Sequence, residues 1–380
     1  MSFFKNLYKK LVDKVGIPLL LNTGIRGGNC LKRGCVVKLK AFFFISLVFI
    51  THTAWGEQAP WTWLYRYSPP TYAHRGFSRK RFVAARQDIA PFTQLIFSWN
   101  AHRPLKGKFV FWGQVRDAVT HKWYDWHRMA DWGCDGQVTH CSVRKNSSSY
   151  NYVRLEAPEG RRGDGFRIKV EGTDGAVLQN FAQLNVCVSN LPAFTIEPMA
   201  SLNSLPSVAI KDVPTYSQME VASLDANRIC SPTSLAMVLG YFNKEEYDPA
   251  VCAQNTYDPG LDTFGSWPFN VAHAYTACTT PRHFYVRRLP GFAQLHKFLM
   301  QGTPVIVSIR GQLKGMPEGL TYSQGHLLVV IGYDHKNKKV RCHDPAFAKG
   351  SMVSHSYDAS DFIRAWERSR RLAYLSDAIS

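Results

Sequence analysis

The 380-residue chain is short of charge and of metal-binding pattern. Only 19% of its residues are charged. With 45% hydrophobic residues, that balance excludes wholesale disorder and leaves enough apolar side chain for a sizeable core. No CxxC, no HExxH and no spaced His/Cys cluster occurs, so neither a metal centre nor any other cofactor is expected. Acidic residues are scarce, 28 against 46 Lys and Arg, giving a net charge of +18. The surplus is uneven, because residues 1–56 hold nine Lys/Arg and one acidic residue. No nucleic-acid motif accompanies it, so it reads as a basic surface without a nucleic-acid partner. Internal repeats and low-complexity tracts are absent.

Long apolar runs are also lacking. The one candidate, Ala41–Ile50, is too short to span a bilayer comfortably. Lys38 and Lys40 precede it and Ala54-Trp55-Gly56 follows, which is the layout of a secretory signal cleaved near Gly56. The expectation is an exported protein, periplasmic or secreted, with no stable membrane domain unless that segment is retained. The 40 residues ahead read as an upstream mis-assigned start, the other reading being a long n-region that leaves the protein anchored. Nine cysteines are present, seven beyond Gly56. Export makes disulfides possible. Cys134 with Cys141, and Cys252 with Cys278, are the candidate pairs, and Cys230 is the expected free thiol.

Beyond the N-terminal extension and signal segment (1–56), residues 57–90 are aromatic and basic and read as an arm. Residues 91–190 show short alternating runs broken by turns, as in Leu95, Phe97, Trp99 and in Phe166-Arg167-Ile168-Lys169-Val170. That pattern predicts an all-β sandwich of two sheets. Its tryptophans, Trp99, Trp112, Trp123, Trp126 and Trp132, either line a carbohydrate groove or fill the space between sheets. Residues 191–212 read as a linker. In residues 213–380, helices at 232–242, 291–301 and 361–368 and strands at 304–309, 326–334 and 339–344 predict an α+β domain.

Cys230 lies at the start of the first of these helices, where the helix N-terminus favours the thiolate. Gln218 precedes it, His326 opens an apolar strand, and Asp344 ends the next strand. This order suits nucleophilic catalysis: a thiolate, an imidazole to take and return the proton, a carboxylate to orient it, and an amide for the oxyanion. Strand register supports the grouping. A hairpin turning near residue 336 pairs His326 near residue 346, making Asp344 a near-diagonal neighbour on the same face. Taken singly, each residue has a plainer reading, as buried thiol, structural histidine or turn-opening aspartate. The loop Gly311–Gly325 reads as a surface loop or a cover over the site.

Six stretches, 213–218, 230–239, 267–270, 302–306, 325–334 and 344–346, resemble in order the bacteriocin-processing (double-glycine leader) cysteine peptidase family and its larger peptidase-like sister group. The resemblance spans about 160 residues. It implies a papain-like fold with Cys230 as nucleophile, His326 as base, Asp344 as orienter and Gln218 in the oxyanion hole. Ser231 departs from the family, where many members have glycine. No transporter domain or ATPase follows in this sequence, so a member not coupled to export of its substrate is expected. The upstream β domain also resembles one seen beside exported members, which implies no activity for it. Trp267 and Asn270 are candidates for shaping the cleft. The expected function is an exported cysteine hydrolase cleaving peptide bonds, including those of peptidoglycan stems. Acyl or amide transfer to an amine is a second enzymatic option. The alternative is a catalytically idle protein that recognises glycan or peptide. Oligomeric state is left open.

Overall fold

The computed structural model describes residues 60–68 and 80–379. The expected N-terminal extension and signal segment lie outside these. Ten strands build the N-terminal lobe: β1 (Thr62–Tyr67), β2 (Arg81–Arg86), β3 (Gln94–Ala101), β4 (Lys108–Asp117), β5 (His127–Gly133), β6 (Gly136–Thr139), β7 (Ser149–Asn151), β8 (Arg154–Glu156), β9 (Gly163–Thr173) and β10 (Phe181–Ser189). They form two antiparallel five-stranded sheets, in the orders β1-β10-β3-β8-β7 and β2-β9-β4-β5-β6. The arm expected at 57–90 is instead partly strand. β1 pairs with β10 and β2 with β9, each forming one edge of a sheet.

Period-two alternation sends Phe97, Trp99, Phe109 and Phe111 between the sheets, where Trp99 stacks on Phe111 at 4.1 Å. Trp132 joins them in this core, while Trp112, Trp123 and Trp126 are half-buried outside it. There the Lys169 ammonium sits over Trp112 (4.7 Å) and Trp126 (5.4 Å), and the Arg167 guanidinium lies 3.9 Å from the Trp123 ring centre. The five tryptophans therefore line no single groove.

The C-terminal lobe holds α1 (Cys230–Asn243), α2 (Pro249–Thr256), α3 (Trp267–Ala277), α4 (Phe292–Met300), α5 (Gly350–Val353) and α6 (Ala359–Arg368). Its sheet comprises β11 (Val208–Ala209), β12 (Arg282–Arg288), β13 (Val305–Gly311), β14 (Tyr322–Asp334), β15 (Lys339–His343), β16 (Ser354–Asp358) and β17 (Leu372–Ala378). The order is β12-β17-β13-β14-β15-β16, with β11 added to β14. Residues 231–240 of α1 are all buried, as for a helix enclosed on every side. Pro232 fits its first turn, where no N–H is needed. The expected linker is packed down: Leu202 and Ile210 are buried, and β11 pairs with β14.

The two lobes interlock. β3 is buried at every position, because its second face meets the C-terminal lobe. There β12 is the edge strand, and side chains of the sandwich replace a neighbouring strand. The Phe284 N–H donates to Asn100 Oδ1 at 2.7 Å, Val286 N–H to Ser98 Oγ at 3.1 Å and Arg288 N–H to Cys187 Sγ at 3.4 Å. The Arg288 guanidinium donates to Gln94 Oε1 (2.6 Å) and to the Ser369 carbonyl (2.8 Å). At a second contact, the Thr139 N–H donates to Asp258 Oδ1 at 2.9 Å, and a Cβ on Gly260 would lie 2.0 Å from the Thr139 carbonyl oxygen. Gly260→Ala forces backbone away from backbone, so a loss of about 1–3 kcal/mol is expected. Thermal melts of the two proteins check it, and an unchanged midpoint would show that this approach is not needed.

Neither expected disulfide forms, and Cys134, Cys141, Cys252 and Cys278 are free thiols. The reason at the first pair is register. Gly133 pairs with Gly136, which puts Cys134 in the hairpin turn, while Cys141 lies beyond Thr139 at the far end of β6. A strand advances about 3.3 Å per residue, too far for a bond whose Cα atoms must lie within about 6.8 Å. Cys252 is buried inside α2, where loss of solvent pushes its thiol pKa up, and Cys278 follows the last turn of α3.

Candidate active site

Helix α1 begins at Cys230, and no side chain caps its first turn. Its N–H groups and the positive end of its dipole are therefore available to an anion beside the thiol. Ser234 Oγ donates to the Leu327 carbonyl at 3.1 Å and pins the helix to β14 one residue from His326. The hairpin of β14 and β15 has the expected register, with Asp334 opposite Lys339 and Val329 opposite His343, interrupted by a bulge at Ile331.

His326 is buried between two partners. Its Nε2 lies 2.7 Å from Asp344 Oδ1, and it shares a cavity wall with the Cys230 thiol, whose pKa its charge lowers. Asp344 is fully buried, yet every lone pair it needs is used. Oδ1 also accepts from the Ala346 N–H at 3.0 Å, and Oδ2 accepts from the hydroxyls of Tyr322 (3.0 Å) and Tyr357 (2.6 Å). Burial pushes the Asp344 pKa up, but the neighbouring imidazole and these donors outweigh it, and the net shift is downward. Burial likewise works against the charged imidazole. The Asp344 and Cys230 charges override it and raise the His326 pKa. At Cys230 burial raises the pKa, while the nearby His326 charge and the Leu327 N–H lower it further than that. The arrangement favours a thiolate–imidazolium pair held by a carboxylate.

Tyr322 adds a second support that sequence reasoning missed. Its ring stacks on His326 with centroids 4.0 Å apart and planes 12° from parallel. Four residues of regular strand would separate them by about 13 Å. The strand is not regular here: Ile309 faces His326 and Gly311 faces Tyr322, so β14 spends extra residues between them. Gly325 makes that fold possible with φ +101, a region open to glycine and costly for other residues. Parity on β14 was the available signal for Tyr322. Tyr357 lay on β16, a strand the sequence did not reveal. Tyr357→Phe removes one donor from a buried carboxylate, so about 1–3 kcal/mol of stability should be lost. Melting curves of the two proteins check it, and an unchanged midpoint would show that the Tyr357 hydroxyl is not needed there.

Gln218 is buried in a short 3-10 turn. The turn docks on the segment after Asp344: the Gln218 N–H donates to the Pro345 carbonyl at 2.9 Å, and Ser217 Oγ donates to the Phe347 carbonyl. Gln218 Oε1 has no hydrogen-bond partner among the described residues. Gln218, Cys230 and His326 share the wall of one open cavity of about 610 Å³. Met219, Met316, Met352 and Phe347 make much of the rest apolar, and residues 316–318, 320 and 321 of the expected surface loop form one side.

The two cleft candidates part company. Asn270 is fully buried below the site. Its amide donates to the Phe264 and Ser266 carbonyls, both at 2.9 Å, and accepts from Ser231 Oγ at 2.9 Å. With all its groups committed, Asn270 braces α3 against the start of α1 and does not line the cleft. Ser231, where relatives often have glycine, is thus a buried link that also contacts the Tyr374 hydroxyl at 3.0 Å. Trp267 lines a neighbouring cavity instead. Among the described residues, one group has metal-like spacing, Asp88, His121 and Asp164 in the sandwich, and Arg116 already binds both carboxylates. No described helix is long and apolar enough to cross a membrane.

Among solved structures, xylellain, a cysteine protease from Xylella fastidiosa, is similar at 13% identity, covering 49% of this chain and 91% of its own, with a TM-score of 0.28. The tripod of the baseplate of bacteriophage Tuc2009 is similar at 7% identity, covering 50% and 93%, with a TM-score of 0.15. Scores this low carry no argument about fold or function. No curated protein matches the chain. Residues 210–374 match the Peptidase_C39 like family, the span that contains Gln218, Cys230, His326 and Asp344. The C-terminal lobe carries a Peptidase_C39 like family domain over residues 210–374.

Proposed function

We propose that this protein is an exported cysteine hydrolase that cleaves peptide bonds. The observation that carries the reading is the His326–Asp344 pair, 2.7 Å apart, on the same cavity wall as Cys230 at an uncapped helix start. The Cys230 thiolate attacks the carbonyl carbon of the scissile amide. The oxyanion is held by the Cys230 N–H and the Gln218 amide. The His326 imidazolium gives its proton to the departing amine, leaving a thioester. Neutral His326 then takes a proton from water, whose oxygen attacks the thioester and releases acid and free thiol. Asp344, held by Tyr322 and Tyr357, keeps the ring oriented throughout. Peptides are the substrate class of the family, and the stems of peptidoglycan are a candidate within it.

A synthetic peptide library read by mass spectrometry tests the activity. Cleavage by the wild type that is lost in Cys230→Ala is expected, and cleavage surviving in that variant would end the assignment. Export is supported by Lys38, Lys40, the apolar run 41–50 and the small residues before Glu57. Fractionation with N-terminal sequencing should find mature protein starting near Glu57 outside the cytoplasm; full-length protein in the cytoplasm would refute it.

A further inference from the structure

A second cavity, of about 410 Å³, opens between the lobes beside the first. Gln324, two residues before His326, lines both cavities, so the two are neighbours across one side chain. Both lobes contribute. Tyr152 and Arg154 come from the β7–β8 hairpin, while Ser266, Trp267 and Arg310 come from the peptidase domain. None of the lining residues is acidic.

Three polar features here have unused hydrogen-bonding capacity. Ser266 Oγ is buried, yet has no hydrogen-bond partner among the described residues and leaves α3 without a side-chain cap. Arg154 Nε is buried and likewise makes no hydrogen bond. It makes a long ion pair at 3.9 Å with Glu156 Oε1, which already accepts from Gln94 at 2.7 Å. Arg310 is exposed and forms no ion pair among the described residues. A hydroxyl, two guanidinium groups and the positive end of an 11-residue helix thus line one cavity whose wall has no acidic residue, Glu156 behind Arg154 being shared with Gln94. Guanidinium groups match carboxylates in shape and donor spacing. The turn before Arg154 is strained as well, with φ +44 at Tyr152 and +58 at Val153, values that suit Asn-Gly and not Tyr-Val.

We propose that this inter-lobe cavity is a carboxylate subsite, and that the substrate is an acidic peptide. One carboxylate, from a side chain or from a free C-terminus, sits between Arg154 and Arg310. The peptide passes Gln324 to bring its scissile bond to Cys230. This rests on the catalytic reading of the first cavity, and it gives the sandwich a part in choosing the substrate.

The test is binding, without turnover, to the full chain carrying Cys230→Ala. The probe is a synthetic library of N-acetylated heptapeptides made in two forms, free acid and C-terminal amide, with captured peptides sequenced by mass spectrometry. Acidic peptides should be captured about tenfold over their Asn/Gln twins, as for one charge-assisted contact. Preference in both pools assigns a side-chain carboxylate, and preference for the free-acid pool alone assigns the C-terminus. Adding Arg154→Gln and Arg310→Gln should erase the preference. So should Ser266→Asp, which places a competing carboxylate in the cavity while suiting a helix N-cap, so folding is preserved. Equal capture of acidic and amide twins, no capture at all, or a preference that survives both variants would overturn the proposal. Wild-type turnover without acidic preference would sink this subsite alone. Acidic preference without turnover would sink the catalytic reading alone.

Discussion

Cys230→Ala should abolish peptide cleavage, by at least about 10⁴-fold, and leave the melting temperature nearly unchanged. The two readouts separate because of where Cys230 sits. It begins α1 and is half-buried on a cavity wall, so truncation leaves little new void and costs less than about 2 kcal/mol. His326→Ala should also remove activity, since the thiol loses its proton acceptor and the leaving amine its acid. Asp344→Ala should reverse the balance. Activity should fall less than in either other variant, because water can partly replace an orienting group. Stability should fall most, by about 3–5 kcal/mol, because the hydroxyls of Tyr322 and Tyr357 and a charged imidazole lose a buried counter-group together. If Cys230 were merely a core thiol, its removal would cost stability and leave no activity to lose.

The pH dependence follows from the same contacts. The Cys230 pKa is lowered, so the ion pair forms as pH rises through that lowered value. The His326 pKa is raised, so the pair is lost only when pH rises through that raised value. Activity should therefore occupy a plateau wider than free cysteine and histidine would give. In Asp344→Ala the plateau should narrow from its alkaline side, because the chief charge raising the His326 pKa is gone.

The C-terminal lobe produced alone, as residues 191–380, should fail to fold to a monomer. Ile96 of the sandwich belongs to the core of the C-terminal lobe, while Phe269 and Ala272 of α3 belong to the core of the sandwich. Removing the sandwich exposes that side of α3 and opens the edge of β12, whose N–H groups at 284, 286 and 288 lose Asn100, Ser98 and Cys187. An open edge strand beside an apolar patch is a site of aggregation. Size-exclusion chromatography and near-ultraviolet circular dichroism of the fragment check this. A monomer that melts cooperatively would show that the sandwich is an appendage.

The grouping of the candidate site residues is more legible in the sequence than the architecture around it. Cys230, His326 and Asp344 are legible because helix start, strand parity and hairpin register are local rules that act within a few residues. The lobe interface is not legible for a related reason. Ser98 and Asn100 alternate with Phe97 and Trp99, which marks a solvent face, yet that face is buried because β12 needs acceptors there. β12, with four Arg or His in seven residues, carries no apolar alternation. Asn270 looks like a surface cap because nothing local shows Ser231 approaching from another helix. The failed Cys134–Cys141 pairing has the same root, since spacing alone does not locate the hairpin turn.

The most direct test of the Cys230–His326 pair is the rate of Cys230 alkylation by iodoacetamide across pH 4–9, mapped by mass spectrometry with free cysteine in the same tube. Free cysteine loses reactivity well below its pKa of about 8.5. A thiolate stabilised by His326 predicts that Cys230 still reacts at pH 6, where free cysteine has become slow, and that His326→Ala removes this advantage. Cys230 tracking free cysteine across the whole range, unchanged by His326→Ala, would contradict the account.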